Sequence, residues 1–181
     1  MSGQILRTLV IGGARSGKSH HASQLAIAAE REIILIATAR ASDKEMEARI
    51  ARHRAERAGS WRTVEEPINL RSAVAKWCLP QRIVVVDCLT LWLSNLMEQG
   101  ASIEQERLKF IDELRAARGP VVLVSNEVGL GLVPMSELGR RFRDEQGLLN
   151  QAVAHVCEQV TFMAAGLTIS LKSPPPGATS I

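Results

Sequence analysis

The chain alternates short, almost wholly apolar runs with longer segments of mixed polarity. Leu6–Ile11, Glu32–Thr38, Arg82–Asp87 and Pro120–Ser125 are dominated by Val, Ile and Leu. Such runs predict strands buried on both faces. Between them lie segments with helical composition or phase: Lys18–Glu30, Ser42 to about Arg57, Asn69–Cys78, Leu89–Met97, Ile103–Arg118 and Glu137 to about Glu158. Val160–Ala164 and Leu167–Leu171 predict two closing strands. Strands alternating with helices predict an α/β fold, a mostly parallel sheet flanked by helices.

Length and composition narrow this picture. A chain of 181 residues, 46% hydrophobic and 23% charged, suits one domain with a sizeable core. Residues 1–172 are read as that domain. Ser173-Pro174-Pro175-Pro176-Gly177 cannot enter a helix or an inner strand, so 173–181 is expected to be a disordered tail. No apolar run reaches the ~18 residues that would span a bilayer. No basic residue precedes Arg7, which gives no sign of a secretory leader and predicts a cytoplasmic protein. The net charge is only +3 and aromatics make up 3%, with no tyrosine, so a nucleic-acid partner is not expected. Cys78, Cys88 and Cys157 form no CxxC pair and read as buried reduced thiols.

The chemistry begins where the first strand ends. Gly12-Gly13-Ala14-Arg15-Ser16-Gly17-Lys18-Ser19 fits G-x-x-x-x-G-K-[ST] in full, between a predicted strand and a predicted helix. Glycines let the backbone turn its N–H groups around phosphates, and the helix adds its positive dipole end. Lys18 is expected at the β- and γ-phosphates, and the Ser19 hydroxyl on Mg²⁺. Asp87 ends a buried strand and is the expected second magnesium holder; an acid that merely stops the strand is the alternative. The five lysines, at 18, 44, 76, 109 and 172, include none in an Asn-Lys-x-Asp guanine reader, which argues against a switch GTPase.

A second candidate lies on the helix expected from Ser42. Ser42-Asp43-Lys44-Glu45 fits a capping box. Met46, Ile50, His53 and Arg57 then fall on one stripe, with Arg49, Arg52 and Arg54 close by. An imidazole half-buried among guanidinium groups is held neutral, the nucleophilic form, and the arginines could hold the phosphates it attacks. A core or boundary histidine with no chemical role explains the same stripe. Two other segments carry candidate ligands. Ser125–Pro134 leaves a strand as a long glycine-bearing loop, and Arg140–Gln151 is cationic and polar, suiting either a phosphate or a solvated helix face.

In order, GGARSGKS, IAT, EMEARIARHRAERAGSWRTVEEP, VVVDCLT, VSNEVGLGLVP and FRDEQGLLNQAVA closely resemble the bifunctional adenosylcobinamide kinase / adenosylcobinamide-phosphate guanylyltransferase family. The resemblance runs from about Arg7 to Lys172. It implies a RecA-like P-loop NTPase fold, a homotrimer and two reactions. In the first, adenosylcobinamide is phosphorylated by ATP or GTP. In the second, GMP passes from GTP to adenosylcobinamide phosphate through a GMP-histidine. The resemblance assigns that histidine to His53. It assigns nucleotide contacts to Gly12, Gly13, Ala14, Arg15, Ser16, Gly17, Lys18, Ser19, Ala37, Thr38, Ala39, Arg54, Ala55, Glu56, Arg57, Glu65 and Asp87. Two other expectations compete with it: a plain P-loop kinase with His53 structural, and a nucleotide-sensing module without turnover.

Overall fold

The computed structural model describes residues 6–40 and 61–173. The helix expected from Ser42 and the tail beyond 173 lie outside the described residues. The elements run β1 (Arg7–Gly12), α1 (Lys18–Ala28), β2 (Glu32–Ala37), β3 (Arg62–Glu65), α2 (Leu70–Trp77), β4 (Arg82–Asp87), α3 (Leu89–Glu98), α4 (Ile103–Ala116), β5 (Val121–Asn126), α5 (Glu137–Val156), β6 (Gln159–Ala164) and β7 (Leu167–Lys172). The expected helices and strands recur with ends shifted by a residue or two; α5 runs unbroken through Gly147.

The strands form one seven-stranded sheet in the order β3-β2-β4-β5-β1-β6-β7. Every neighbouring pair is parallel except β6 and β7. The apolar runs occupy the middle because both of their faces are covered. Leu9, Ile34, Ile36, Val84, Val86, Val121 and Leu123 pack on one face against α2, α3, α4 and α5. Val10, Leu35, Ile83, Val85, Val122 and Val124 pack on the other face with Ala22 and Ala26 of α1. Lys18, Ala22 and Ala26 repeat at helical spacing, and the two small side chains let α1 approach the sheet closely.

One strand was not expected. Arg62–Glu65 (RTVE) pairs with β2 as the edge of the sheet. It is short, and Val64 is its one apolar side chain. An edge strand with a largely solvated surface carries no apolar run, so the hydrophobic pattern misses it. At the other edge, β6 turns into β7 through Ala165 and Gly166, both at positive φ (53° and 80°). Two such residues in succession suit the right-handed twist of a tight hairpin.

Cys78, Cys88 and Cys157 are buried and unbridged, as expected. Burial pushes the first two thiols up to about 11, and Cys157 up to about 12.

Candidate functional site

The parallel strands end together, and the chemistry expected from the sequence gathers at those ends. Ala37 is in register with both Glu65 and Asp87, so three of the expected nucleotide contacts share one row across β3, β2 and β4. Gly12 is in register with Asn126 on β5. The strand bearing Asp87 does not adjoin the strand feeding the phosphate loop; β5 lies between them. Strand order is a long-range property, which local patterning does not encode.

The Gly12–Ser19 loop is tightly built. A side chain at Gly12 would bring its Cβ to 2.3 Å from the Met163 carbonyl oxygen and 2.9 Å from Ser16 Oγ. Gly17 caps α1 with φ 96°, a conformation that strains any residue with a Cβ. The Gly166 N–H donates to Ser16 O at 3.1 Å, so the β6–β7 turn braces the loop from outside. Lys18 is buried, and its Nζ donates to Gly13 O at 2.5 Å and Ser16 Oγ at 3.5 Å. The ammonium therefore folds back across the loop it follows. Ala14 and Arg15 are exposed, and Ser19 is half-buried on the first turn of α1.

The end of β2 is locked to β4. Thr38 is fully buried; its N–H donates to Asp87 O at 3.2 Å, and its Oγ1 donates to Cys88 O at 2.7 Å while accepting from Cys88 N at 2.9 Å. Asn95 of α3 donates to Thr38 O at 2.8 Å and Pro67 O at 3.0 Å, joining the segments that follow β2 and β3. Ala39 follows, half-buried, and Glu65 is exposed on the β3 edge. His53, Arg54, Ala55, Glu56 and Arg57 lie outside the described residues. Of the two histidines after the loop, His20 is exposed, while burial and then the neighbouring His20 lower the pKa of His21, favouring its neutral form.

Sequence reasoning took Ser125–Pro134 and Arg140–Gln151 as segments carrying candidate ligands, but it did not foresee the hydrogen-bond network that joins them to each other and to Thr90. Buried Ser125 donates to Asn150 Oδ1 at 2.6 Å and accepts from Gln146 Nε2 at 3.0 Å. Gln146 Nε2 also reaches Asn150 Oδ1 at 3.0 Å, and its Oε1 is the one buried side-chain acceptor without a partner among the described residues. Asn150 Nδ2 donates to Asn126 O at 3.0 Å, and the Asn126 N–H donates to Thr90 Oγ1 at 2.8 Å. The available signal was the cationic and polar stretch Arg140–Gln151, whose buried side carries Gln146 and Asn150.

Beyond β5, Glu127 folds its own loop, accepting from Gly129 N at 2.6 Å and Leu130 N at 3.1 Å. Its backbone N–H donates to Gly12 O at 3.0 Å, tying this loop to the phosphate loop. Arg143 donates to Gly129 O at 2.6 Å, and Arg140 to Met135 O at 2.7 Å. These arginines thus hold loop carbonyls, a role the sequence reading did not consider.

Oxygen donors suited to a small divalent cation are present in the Ser19 hydroxyl and the Asp87 carboxylate. One or two protein oxygens, with phosphates and water completing the shell, is the donor set that Mg²⁺ takes. No helix of the described residues is long and apolar enough to cross a membrane.

The fold is similar to that of several solved P-loop proteins. The RadB recombinase matches at a TM-score of 0.52 with 16% identity, covering 87% of this chain and 73% of that one. The flagellar accessory protein FlaH from Methanocaldococcus jannaschii matches at 0.51 with 11% identity, covering 97% and 82%. The P4 protein from bacteriophage phi6, solved with ADP, matches at 0.51 with 13% identity, covering 92% and 54%. At these identities the likeness establishes the architecture alone, an α/β P-loop NTPase of the RecA-like kind. Closer relatives carry more. The bifunctional adenosylcobalamin biosynthesis protein CobP of Pseudomonas aeruginosa is 48% identical over 172 residues, 94% of this chain and 99% of its own length. CobU of Escherichia coli, described in the same words, is 38% identical over 91% of this chain and 98% of its own. The profile of one family, cobinamide kinase / cobinamide phosphate guanyltransferase, matches residues 8–171, and the chain belongs to that family.

Proposed function

We propose that this protein phosphorylates adenosylcobinamide with ATP or GTP and then transfers GMP from GTP to the resulting phosphate, giving adenosylcobinamide-GDP and pyrophosphate. The observation that carries the reading is the braced phosphate loop, with Lys18 at its helical end, in a chain of this family.

In the first reaction the substrate hydroxyl attacks the γ-phosphorus in line, and the nucleoside diphosphate leaves with the bridging oxygen. The loop N–H groups and Lys18 hold the phosphate oxygens as charge moves toward the leaving group. Ser19 and Asp87 would hold Mg²⁺, which when bound neutralises phosphate charge. Ala37, Thr38, Ala39 and Glu65 sit where the row of strand ends would meet the rest of the nucleotide. The Thr38 lock to Cys88 and Asn95 keeps that row rigid.

In the second reaction His53 is the proposed nucleophile. Its nitrogen forms a bond to the α-phosphorus of GTP, pyrophosphate leaves, and the substrate phosphate then displaces the imidazole. Arg54, Ala55, Glu56 and Arg57 complete the proposed nucleotide contacts. Residues 1–172 are proposed to act as one nucleotide-binding domain, cytoplasmic and without nucleic acid as a partner.

A homotrimer is also proposed. Its support is apolar surface that the other described residues leave uncovered: Leu167, Ile169 and Leu171 alternate along β7 and are exposed, and Leu132 and Met135 are 95% and 96% exposed.

The test uses GTP labelled at the α-phosphate. Wild-type protein should retain label after denaturation, in an acid-labile, base-stable bond typical of a phosphoramidate. His53→Ala should retain none and lose guanylyl transfer, yet keep appreciable phosphorylation. An equal adduct on His53→Ala would move the nucleophile, with His20 or His21 next to be replaced. No adduct on either protein, with phosphorylation intact, would leave a plain kinase.

A further inference from the structure

Leu130, Leu132, Val133, Met135 and Leu138 follow one another through the loop after β5 and the first turn of α5, and all are exposed. A single exposed leucine is ordinary, but a run of this kind marks a binding surface. Glu137 is the one charged residue between Val128 and Gly139. The backbone beneath these side chains is pinned. Glu127 accepts the N–H groups of Gly129 and Leu130, and Arg143 donates to Gly129 O. Arg140 donates to Pro134 O at 3.2 Å and Met135 O at 2.7 Å, and Ser136 Oγ accepts from Gly139 N at 3.1 Å. Each of these bonds joins a polar side chain to the main chain. The polar groups thus fix the loop, and the apolar ones are left on its surface.

This surface adjoins the phosphate loop. The Glu127 N–H donates to Gly12 O at 3.0 Å, so the two loops leave neighbouring strands tied together. α5 starts at this end of the sheet and runs back toward the amino ends, where β6 begins. Met135 and Leu138 therefore lie at the same end as Gly12–Ser19. The described nucleotide contacts proposed above fall at the ends of β1, β2, β3 and β4, and none follows β5. A second reactant whose hydroxyl meets the γ-phosphorus must rest its bulk beside the phosphate loop, and the loop after β5 is the ground left to it. The chemistry agrees. Adenosylcobinamide carries a corrin ring, whose faces are carbon and methyl groups and whose amides lie at the rim. Such faces call for apolar contact without charge, and leucine and methionine side chains adapt to an irregular shape.

From this placement we propose that the exposed apolar surface from Leu130 to Leu138 is where the corrin ring of adenosylcobinamide rests, with Leu132 and Met135 as its main contacts. The inference rests on the kinase reading above. The ring buries these side chains, and the pinned backbone means that little order is lost on binding. The same contact holds adenosylcobinamide phosphate in the second reaction. Leu132 and Met135 then belong to the substrate, and the β7 row of Leu167, Ile169 and Leu171 is what remains for contact between copies.

The experiment measures steady-state phosphorylation of adenosylcobinamide by the full chain with Mg-ATP, beside equilibrium binding of adenosylcobinamide and sedimentation of the same protein. Leu132→Ser combined with Met135→Ser should raise KM for adenosylcobinamide and weaken its binding about tenfold, with kcat and KM for Mg-ATP within about twofold. Both side chains are almost wholly exposed, so this variant should fold. Leu132→Met combined with Met135→Leu keeps the apolar surface and should stay within about twofold of wild type. Leu171→Ser on β7 should leave KM unchanged. A KM within about threefold of wild type for the double serine variant would overturn the inference. So would an equal rise in Leu171→Ser, or a rise accompanied by loss of the wild-type assembly, which would give the surface to a second copy. Wild-type protein that binds adenosylcobinamide without phosphorylating it would refute the kinase reading alone. The binding comparison would then decide: weakening in the double serine variant sustains the contact, and unchanged binding removes it. Wild-type protein that does not bind adenosylcobinamide would overturn both.

Discussion

The two ends of the sheet are made from the same strands but obey different rules. At the amino ends, polar groups close on one another. Arg7 grips Glu158 through its backbone N–H at 2.7 Å and its guanidinium at 2.5 Å, and spends a further N–H on Leu114 O. Trp77 is ringed by the cations of Arg62, Lys76 and Arg82, each 5.1 Å from the ring centre. At the carboxyl ends, polar groups instead fix backbone and carry small side chains toward one face. Thr38, Thr90, Asn95 and Asn150 all bond main-chain atoms of strand ends or of the segments that follow them. One end is organised for stability and the other for geometry, so substitutions at the two ends should separate stability from catalysis.

The largest separation is expected at Lys18. Lys18→Ala should reduce phosphorylation by about a thousandfold or more, roughly 4 kcal/mol of transition-state stabilisation, while the melting temperature changes little. Near-normal phosphorylation would remove the loop from the mechanism.

A matched pair of glycines sharpens the contrast. A Cβ at Gly12 would meet Met163 O at 2.3 Å, and one at Gly119 would meet Leu79 O at 2.2 Å at the opposite end. Each alanine variant should lose about 2–4 kcal/mol in denaturant unfolding, since in both cases the obstacle is backbone. Only Gly12→Ala should also weaken Mg-ATP binding in the protein that remains folded. Equal nucleotide affinity in the two variants would erase the distinction between the ends.

Much of this was legible in advance. The inner strands announced themselves because burial on both faces demands continuous aliphatic runs, and the phosphate loop did so because its spacing is a local chemical requirement. β3 did not, because an exposed edge makes no such demand on Arg62, Thr63 or Glu65. The insertion of β5 between β1 and β4 was hidden, since no local signal sets strand order. The grip on Asn126 was hidden for a related reason: Thr90, Asn126 and Asn150 come from three elements that only the fold brings together. His53, read from helical phase, lies outside the described residues, and labelling with GTP is the measurement that decides its role.

A smaller effect belongs to the amino end alone. Burial pushes the Glu158 pKa up, but the hydrogen bonds and charge of Arg7 outweigh it and leave the carboxyl below its ordinary value of 4.5. The unfolded chain therefore binds that proton more readily. The pair's contribution is fully present above the ordinary glutamate range and disappears as pH falls through the lowered folded value. Glu158→Gln should cost about 2 kcal/mol near neutrality and flatten the acid limb of the stability profile, read by urea unfolding at several pH values. An unaltered acid limb would mean that other carboxylates set it.

The smallest expected effect is at Trp77. Lys76→Ala removes one of three cations around the ring and should cost about 0.5 kcal/mol, with both activities unchanged. A measurable drop in either activity would show that the two ends communicate.

The three buried thiols give the molecule a built-in clock. With thiol pKa values of about 11 to 12, roughly one in ten thousand or fewer would be ionised at neutral pH, even if a reagent could reach them. Modification therefore waits for the chain to open. Cys88 sits beside the Thr38 lock, whereas Cys78 and Cys157 lie toward the amino ends of the strands. The order in which the three acquire a label would time how each end of the sheet comes apart.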